Sequence, residues 1–235
     1  EFLEKEGYEV TYLDIDKNGR IDLEQLKDSI TDKTVLISIM LVNNEIGTVQ
    51  PIKEVAAIAK EHGILFHTDA VQGLGNVAID VKEMGIDMMS VSSHKIYGPK
   101  GVNIANYMHG GAQENRRRAG TENLPGIVGF GKAAEIAKDN FEKHVEHCSH
   151  VRNYLKNRIL SEIPDTYVNG TMEGRHPGNL NITFKYIEGE SILLLLNQYG
   201  ISVSTGSACS STSLEPSHVL SALGVPVEMI HGTVR

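Results

Sequence analysis

The stretch Ser92–Gly101, SSHKIYGPKG, follows a short and mostly apolar run at residues 88–91, and glycine and proline then turn the chain sharply. A lysine held where a strand ends can serve as an amine nucleophile. An isolated lysine in such a loop is more often a solvated surface charge. The role of Lys95 therefore depends on which other side chains the fold brings to it.

The residues upstream of this stretch alternate between strand and helix patterns. A nearly continuous apolar, β-branched run over 34–42 predicts a strand buried on both faces. Pro51 begins a predicted helix that extends to His62, and residues 64–67 and 87–91 predict two further strands. This alternation predicts an α/β fold with a mostly parallel sheet, right-handed crossovers and flanking helices.

The second half of the chain has a different pattern. It predicts two helices over 123–138 and 141–160, a strand over 180–185, a helix over 189–199 and a strand over 201–204. We expect a large domain at residues 1–140 and a smaller α+β domain at residues 141–235. Both ends of the chain read as interrupted elements, so the sequence is expected to be a fragment that lacks both termini of a longer protein.

Composition narrows the function classes. The chain has 235 residues and a net charge of −8. This charge does not indicate a positively charged surface that would bind nucleic acid or an anionic membrane. Its two cysteines, Cys148 and Cys209, are too few for a disulfide framework or a zinc site and fit a reducing, cytoplasmic location. No apolar run reaches the length of a membrane span. We expect no metal, no nucleic acid and no membrane among the ligands.

Polar residues follow each predicted parallel strand, where open α/β sheets bind their ligands. The three ends are Asn43-Asn44-Glu45, His67-Thr68-Asp69 with Gln72 one turn later, and Ser92-Ser93-His94-Lys95. Together they offer a carboxylate, amides, hydroxyls, an imidazole and an amine. That set suits pyridoxal 5'-phosphate, with Lys95 forming a Schiff base and Asp69 pairing with the pyridinium nitrogen.

Several motifs resemble those of one family. HTDAVQG at residues 67–73 and the stretch Ser92–Gly101 resemble the cofactor motifs of NifS/IscS-type cysteine desulfurases, which are fold-type I pyridoxal phosphate enzymes of the class V aminotransferase group. Further matches are NNEIG at 43–47, RAGTEN at 118–123 and STGSACSS at 204–211. They occur in the family's order over nearly the whole chain.

The resemblance implies a set of cofactor contacts. Lys95 is similar to the lysine that carries the cofactor, and His94 beside it to a residue that binds the phosphate and takes part in catalysis. The other implied contacts are Asp69 at the ring nitrogen, Gln72 and Asn43 on the ring hydroxyl side, Ser92 at the phosphate, and Thr121 at the phosphate of a neighbouring subunit. The last contact implies a homodimer.

The resemblance also implies the substrate and the sulfur chemistry. Arg235, with Asn43, is similar to residues that bind the substrate, and a planar guanidinium suits a carboxylate. Cys209 lies among small polar residues, which suits a mobile thiol nucleophile, whereas Cys148 is expected to be a small buried hydrophobe. Sulfur is then taken from L-cysteine, L-alanine leaves, and the persulfide on Cys209 passes to an iron–sulfur cluster scaffold protein or another sulfur acceptor.

The chain departs from the family pattern in places. Relatives carry a glycine-rich phosphate loop and a ring-stacking histidine upstream of Glu1, and a further strand after Gly101. We therefore expect this stretch alone to bind the cofactor weakly or not at all. A selenocysteine lyase or another class V aminotransferase, and a non-catalytic homologue that docks a scaffold protein, stay open as alternatives.

Overall fold

The computed structural model describes residues 2–99, 122–205 and 216–235. In the first range, β1 (Leu36–Ser38), β2 (Leu65–Asp69) and β3 (Met88–Ser90) form a parallel sheet in the order β1-β2-β3. The register pairs Ser38 with His67, and Asp69 with Ser90. The predicted parallel sheet is confirmed, although β1 covers only the centre of the predicted strand at 34–42.

One face of this sheet is packed against helix α3 (Ile52–Glu61). Phe66 of β2 and Val55 of α3 are wholly buried in that layer. Burying two such side chains contributes about 1.5–3 kcal/mol each. On the opposite face Leu36, Leu65 and Met88 stay partly exposed, so the sheet is covered on one side within the described residues. Two short helices, α1 (Phe2–Lys5) and α2 (Leu23–Asp28), precede the sheet.

The second half contains two long helices and an antiparallel sheet. Helices α4 (Leu124–Asp139) and α5 (Phe141–Glu162) follow one another, and β4 (Thr166–Val168), β5 (Ile182–Phe184) and β6 (Thr233–Val234) pair in that order. Helices α6 (Gly189–Gln198), α7 (His218–Ala222) and α8 (Val227–Ile230) lie between β5 and β6 in the chain. The change from parallel to antiparallel pairing agrees with a second α+β unit, while the boundary near residue 140 stays a prediction.

The two halves share a small core. Ile46, from the turn after β1, is buried with Val219 and Leu220 of α7 and Ile230 of α8. Since Ile46 belongs to the first half of the sequence, this cluster fixes the turn after β1 against the second half.

The prediction of a strand over 201–204 is wrong, because these residues form no regular ladder. Ser204 exchanges both backbone hydrogen bonds with Arg235, and one such pair does not extend into a strand. The short elements α2 and β4 were not predicted. Among the described helices, none combines the length and the apolar character that a membrane crossing requires.

Candidate active site

The three strands of the parallel sheet end side by side at one edge. Past β1, the N–H of Leu41 donates to the carbonyl of Asp69 at 2.8 Å, and past β2 the N–H of Ala70 donates to the carbonyl of Ser90 at 2.9 Å. The hydrogen-bonded pairing thus continues to the carboxyl ends of the strands. The polar residues at these ends therefore lie at the same edge of the sheet, and they are Asn43, Asp69 and Ser92. The structure thus brings together the three groups that the sequence placed at separate strand ends.

Lys95 lies in a 3-10 helix, Ser93–Ile96, directly after β3. Ser93 and Ile96 are buried and anchor this turn, while His94 and Lys95 are exposed. The hydroxyl of Ser92 hydrogen-bonds Nδ1 of His94 at 2.6 Å. A hydroxyl, an imidazole and an amine are therefore presented together on the accessible side of a fixed turn.

Asp69 ends β2 with its side chain exposed, and its Oδ1 accepts a hydrogen bond from the N–H of Val71 at 2.9 Å. On the same strand His67 hydrogen-bonds the hydroxyls of Ser38 at 2.8 Å and Ser90 at 2.9 Å. Side chains two residues apart share a face of a strand. His67 thus joins all three strands on the face that carries Asp69.

The turn after β1, residues 43–47, holds Asn43 in a defined orientation. Its Oδ1 accepts hydrogen bonds from the N–H groups of Glu45 at 2.9 Å and Ile46 at 3.0 Å. Since these donors require an oxygen, Nδ2 is the donor end of the amide. Nδ2 donates to Sδ of Met40 at 3.7 Å and has a second N–H for a ligand.

Residues from the second half hold the same turn from outside. The carbonyl of Glu45 accepts hydrogen bonds from the side-chain amides of Asn179 at 3.1 Å and Asn181 at 3.2 Å. The carbonyl of Asn44 accepts from Nη1 of Arg235 at 3.2 Å. The predicted substrate-binding arginine therefore lies against the turn that carries Asn43.

His176 lies beside two parts of the candidate site, a placement that no sequence motif predicted. Its N–H donates to the carbonyl of Gly47 at 2.8 Å, and its ring lies near the backbone of Gln72. Nδ1 of the ring accepts the N–H of Gly178 at 3.0 Å. Gln72, predicted at the cofactor ring, is half-buried beside this imidazole.

The surroundings of His176 oppose its protonation. Burial lowers the pKa of His176 to about 4, and electrostatic repulsion from His144, Arg152 and Arg175 acts in the same direction. Burial also lowers the pKa of Arg175 to about 10. The guanidinium of Arg175 donates to four oxygens, and these are the carbonyls of Asn169, Thr171 and Asn179 and the Oδ1 of Asn179.

Two predicted site residues, Thr121 and Cys209, lie outside the described residues. Cys148 is half-buried on α5, and its Sγ lies 3.8 Å from each ring nitrogen of His144. Over residues 2–99, 122–205 and 216–235, no group of three or more His, Cys, Asp or Glu side chains is arranged to hold a metal ion.

Comparisons with known proteins agree on one family. The sequence matches the family described as Aminotransferase class-V over residues 1–109 and 103–235. It is similar over its whole length to cysteine desulfurase IscS of Dictyoglomus turgidum, with 52% identity, and of Methanosarcina thermophila, with 55% identity. The chain spans 62% and 60% of the length of these two relatives.

Solved structures give the same picture. A NifS-like protein is similar with a TM-score of 0.87 and 34% identity, over 99% of this chain and 63% of its own. SspA, in a structure with cysteine, is similar with a TM-score of 0.78 and 35% identity, over 100% of this chain and 67% of its own. The fold is that of NifS-like, fold-type I enzymes, as the sequence predicted.

We predict that Gly47→Ala destabilises the protein more than Gly63→Ala. Both glycines have positive φ, +71° and +67°, so both variants bear a similar backbone cost of about 1–2 kcal/mol. A Cβ at Gly47 would lie 2.7 Å from Cγ of Asn179, whereas nothing lies within 4 Å of one at Gly63. We expect about 1–3 kcal/mol of additional loss at Gly47, measured by urea denaturation. Equal losses of unfolding free energy in the two variants would contradict the close contact between Gly47 and the side chain of Asn179.

We also predict that His176 makes stability depend on pH. Its pKa is about 4 in the folded protein and near 6.5 when unfolded, so between these values the unfolded chain binds the proton first. The free energy of unfolding should therefore fall as pH is lowered through that window. His176→Gln should flatten the slope in urea denaturation relative to the parent protein. An unchanged slope in His176→Gln would refute the assignment.

Proposed function

The chain belongs to the aminotransferase class-V family, and from this premise we propose that it carries the catalytic site of a cysteine desulfurase. The observation that carries the proposal is the convergence of Asn43, Asp69 and the Lys95 turn at one edge of the parallel sheet. It occurs in a chain about half identical to cysteine desulfurases over its whole length.

The donor set at this edge fits pyridoxal phosphate. The exposed carboxylate of Asp69 suits a protonated pyridine nitrogen. The second N–H of Asn43 Nδ2, beside the one that donates to Sδ of Met40, suits the ring hydroxyl, with Gln72 on the same side. The paired Ser92 and His94 suit a phosphate. When bound, the cofactor supplies an aldehyde that captures amines and a ring that accepts the electron pair released at the substrate α-carbon.

Lys95 and Arg235 have complementary tasks in this proposal. The amine of Lys95 holds the cofactor aldehyde until the substrate amine replaces it, and then moves the proton at the substrate α-carbon. His94, next to it and hydrogen-bonded to Ser92, holds the phosphate end and so fixes the cofactor relative to that amine. The guanidinium of Arg235 binds the carboxylate of L-cysteine. SspA, whose structure contains cysteine, supports this choice of substrate.

Cys209 accepts the sulfur. Its thiolate attacks the substrate sulfur, an S–S bond forms, and the substrate C–S bond breaks with its electron pair passing to carbon. A proton then completes L-alanine, so carbon is reduced and the transferred sulfur oxidised without an outside oxidant. The persulfide on Cys209 is passed to an iron–sulfur cluster scaffold protein or another sulfur acceptor.

The remaining expectations belong to the same proposal. Thr121 reaches the phosphate bound by a neighbouring subunit, which makes the protein a homodimer. Residues 1–140 form the cofactor-binding domain and residues 141–235 the domain that carries Cys209. A cytoplasmic location suits a catalytic thiol in a chain with two cysteines.

The test compares alanine and sulfide release from L-cysteine in the protein carrying this sequence and its variants, with a reductant present. Cys209→Ser should lower both rates by about a hundredfold or more, because the sulfur acceptor is lost. Lys95→Ala should abolish both, whereas Lys60→Ala, at an exposed site on α3, should act like the parent.

Two results would contradict the proposal. Unchanged sulfide release in Cys209→Ser would favour a selenocysteine lyase or another class V aminotransferase. No release of alanine by the parent protein, despite bound cofactor, would favour a non-catalytic homologue.

A further inference from the structure

Glu45 is a buried acidic residue that the proposed chemistry does not use. Its side chain lies in the turn that carries Asn43, and the residue is only 2% exposed. Burying a carboxylate costs free energy unless hydrogen bonds compensate it. An apolar side chain would pack at lower cost beside Ile46, so the carboxylate calls for a specific explanation.

The side-chain partner of Glu45 is Ser217, the residue directly before α7. The hydroxyl of Ser217 donates to Oε2 of Glu45 at 2.6 Å and accepts the N–H of Leu220 at 3.2 Å. Ser217 is thus the N-cap of α7 and the hydrogen-bond donor to the turn at once. A hydroxyl–carboxylate bond of this length is charge-assisted and directional, so it fixes the position of the turn and not only its burial.

The contacts of the turn with α7, α8 and Arg235 form a continuous path that starts and ends on the turn. From the turn, Ile46 packs on Leu220 of α7 and Ile230 of α8. Two residues separate α8 from β6, and Arg235 directly follows β6. The guanidinium of Arg235 donates a hydrogen bond to the carbonyl of Asn44. The path thus begins and ends on the turn, and it includes the proposed cofactor contact Asn43 and the proposed carboxylate contact Arg235.

We propose that Glu45 is a positioning residue, whose hydrogen bond to Ser217 sets the distance between Arg235 and Asn43 and thereby the affinity for the substrate carboxylate. This inference rests on the proposed function, because Arg235 and Asn43 bind substrate and cofactor there. The other hydrogen bonds of the turn run to Asn179, Asn181 and Arg235. Without Glu45, the contact between the turn and α7 would be the non-directional packing of Ile46.

The test uses two nearly isosteric variants of Glu45. Glu45→Met removes the acceptor and keeps the volume, whereas Glu45→Gln keeps an acceptor for Ser217. We expect Glu45→Met to raise the KM for L-cysteine about tenfold. It should weaken the equilibrium binding of L-alanine, followed by the cofactor absorption spectrum, to a similar degree. Glu45→Gln should stay near the parent value in both measurements.

L-alanine carries the carboxylate but no sulfur, so its binding reports the carboxylate contact and not the thiol step. Phe66→Leu is the control for lost stability, because Phe66 is buried in the α3 layer, in a different apolar cluster from Ile46. It should lower the melting temperature and leave KM unchanged. If Glu45→Met binds both amino acids like the parent, or if Phe66→Leu raises KM equally, the inference is wrong.

A second pair of variants keeps the test decisive if Glu45→Met does not fold. Ser217→Ala removes the donor, and Ser217→Thr keeps a hydroxyl that can both donate and cap. The alanine variant should raise KM about tenfold and the threonine variant should not. Equal KM values for the two would overturn the inference. A parent protein that releases no alanine and sulfide refutes the proposed function itself, which separates the two failures.

Discussion

The parallel pairing of β1, β2 and β3 is the constraint on which the candidate site depends. Parallel strands all end at the same edge of a sheet, so residues that are far apart in sequence begin their loops next to one another. Asn43, Asp69 and Ser92 meet for this reason. His67 strengthens the arrangement by hydrogen-bonding Ser38 and Ser90 on the neighbouring strands.

The second half of the chain completes the site by holding one turn. Residues 43–47 receive hydrogen bonds from Asn179, Asn181 and Arg235, and their buried members, Glu45 and Ile46, contact α7. The turn is therefore the point where the parallel sheet and the antiparallel sheet are joined. A change in the second half can alter the orientation of Asn43 without any contact to a ligand.

The sequence predicted what local patterns encode. Strands β1, β2, β3 and β5 and helices α3, α4, α5 and α6 follow from apolar periodicity and helix end signals, whereas α2 and β4 were not predicted. The assignment of Asn43, Asp69, Gln72 and Lys95 as site residues, from motifs at strand ends, stays a prediction. It did not predict the roles of His176, Arg175 and Glu45. The partners of His176 and Glu45, the carbonyl of Gly47 and the hydroxyl of Ser217, lie far away in sequence. The acceptors of Arg175 are near in sequence, but a buried arginine among carbonyls reads in sequence like an ordinary surface loop. The prediction of a strand over 201–204 was wrong because only Ser204 in this segment pairs with another backbone segment, at Arg235.

Lys95, at the edge of the parallel sheet, is proposed as the lysine that holds pyridoxal phosphate. This role can be measured by borohydride reduction of the protein that carries this sequence, with the cofactor bound, followed by digestion and mass spectrometry of the peptides. We expect one stable pyridoxyl adduct, on the peptide that contains Lys95, and its loss in the presence of an amino-acid substrate that displaces the lysine. An adduct on another lysine, or no adduct on the cofactor-bound protein, would contradict this role of Lys95.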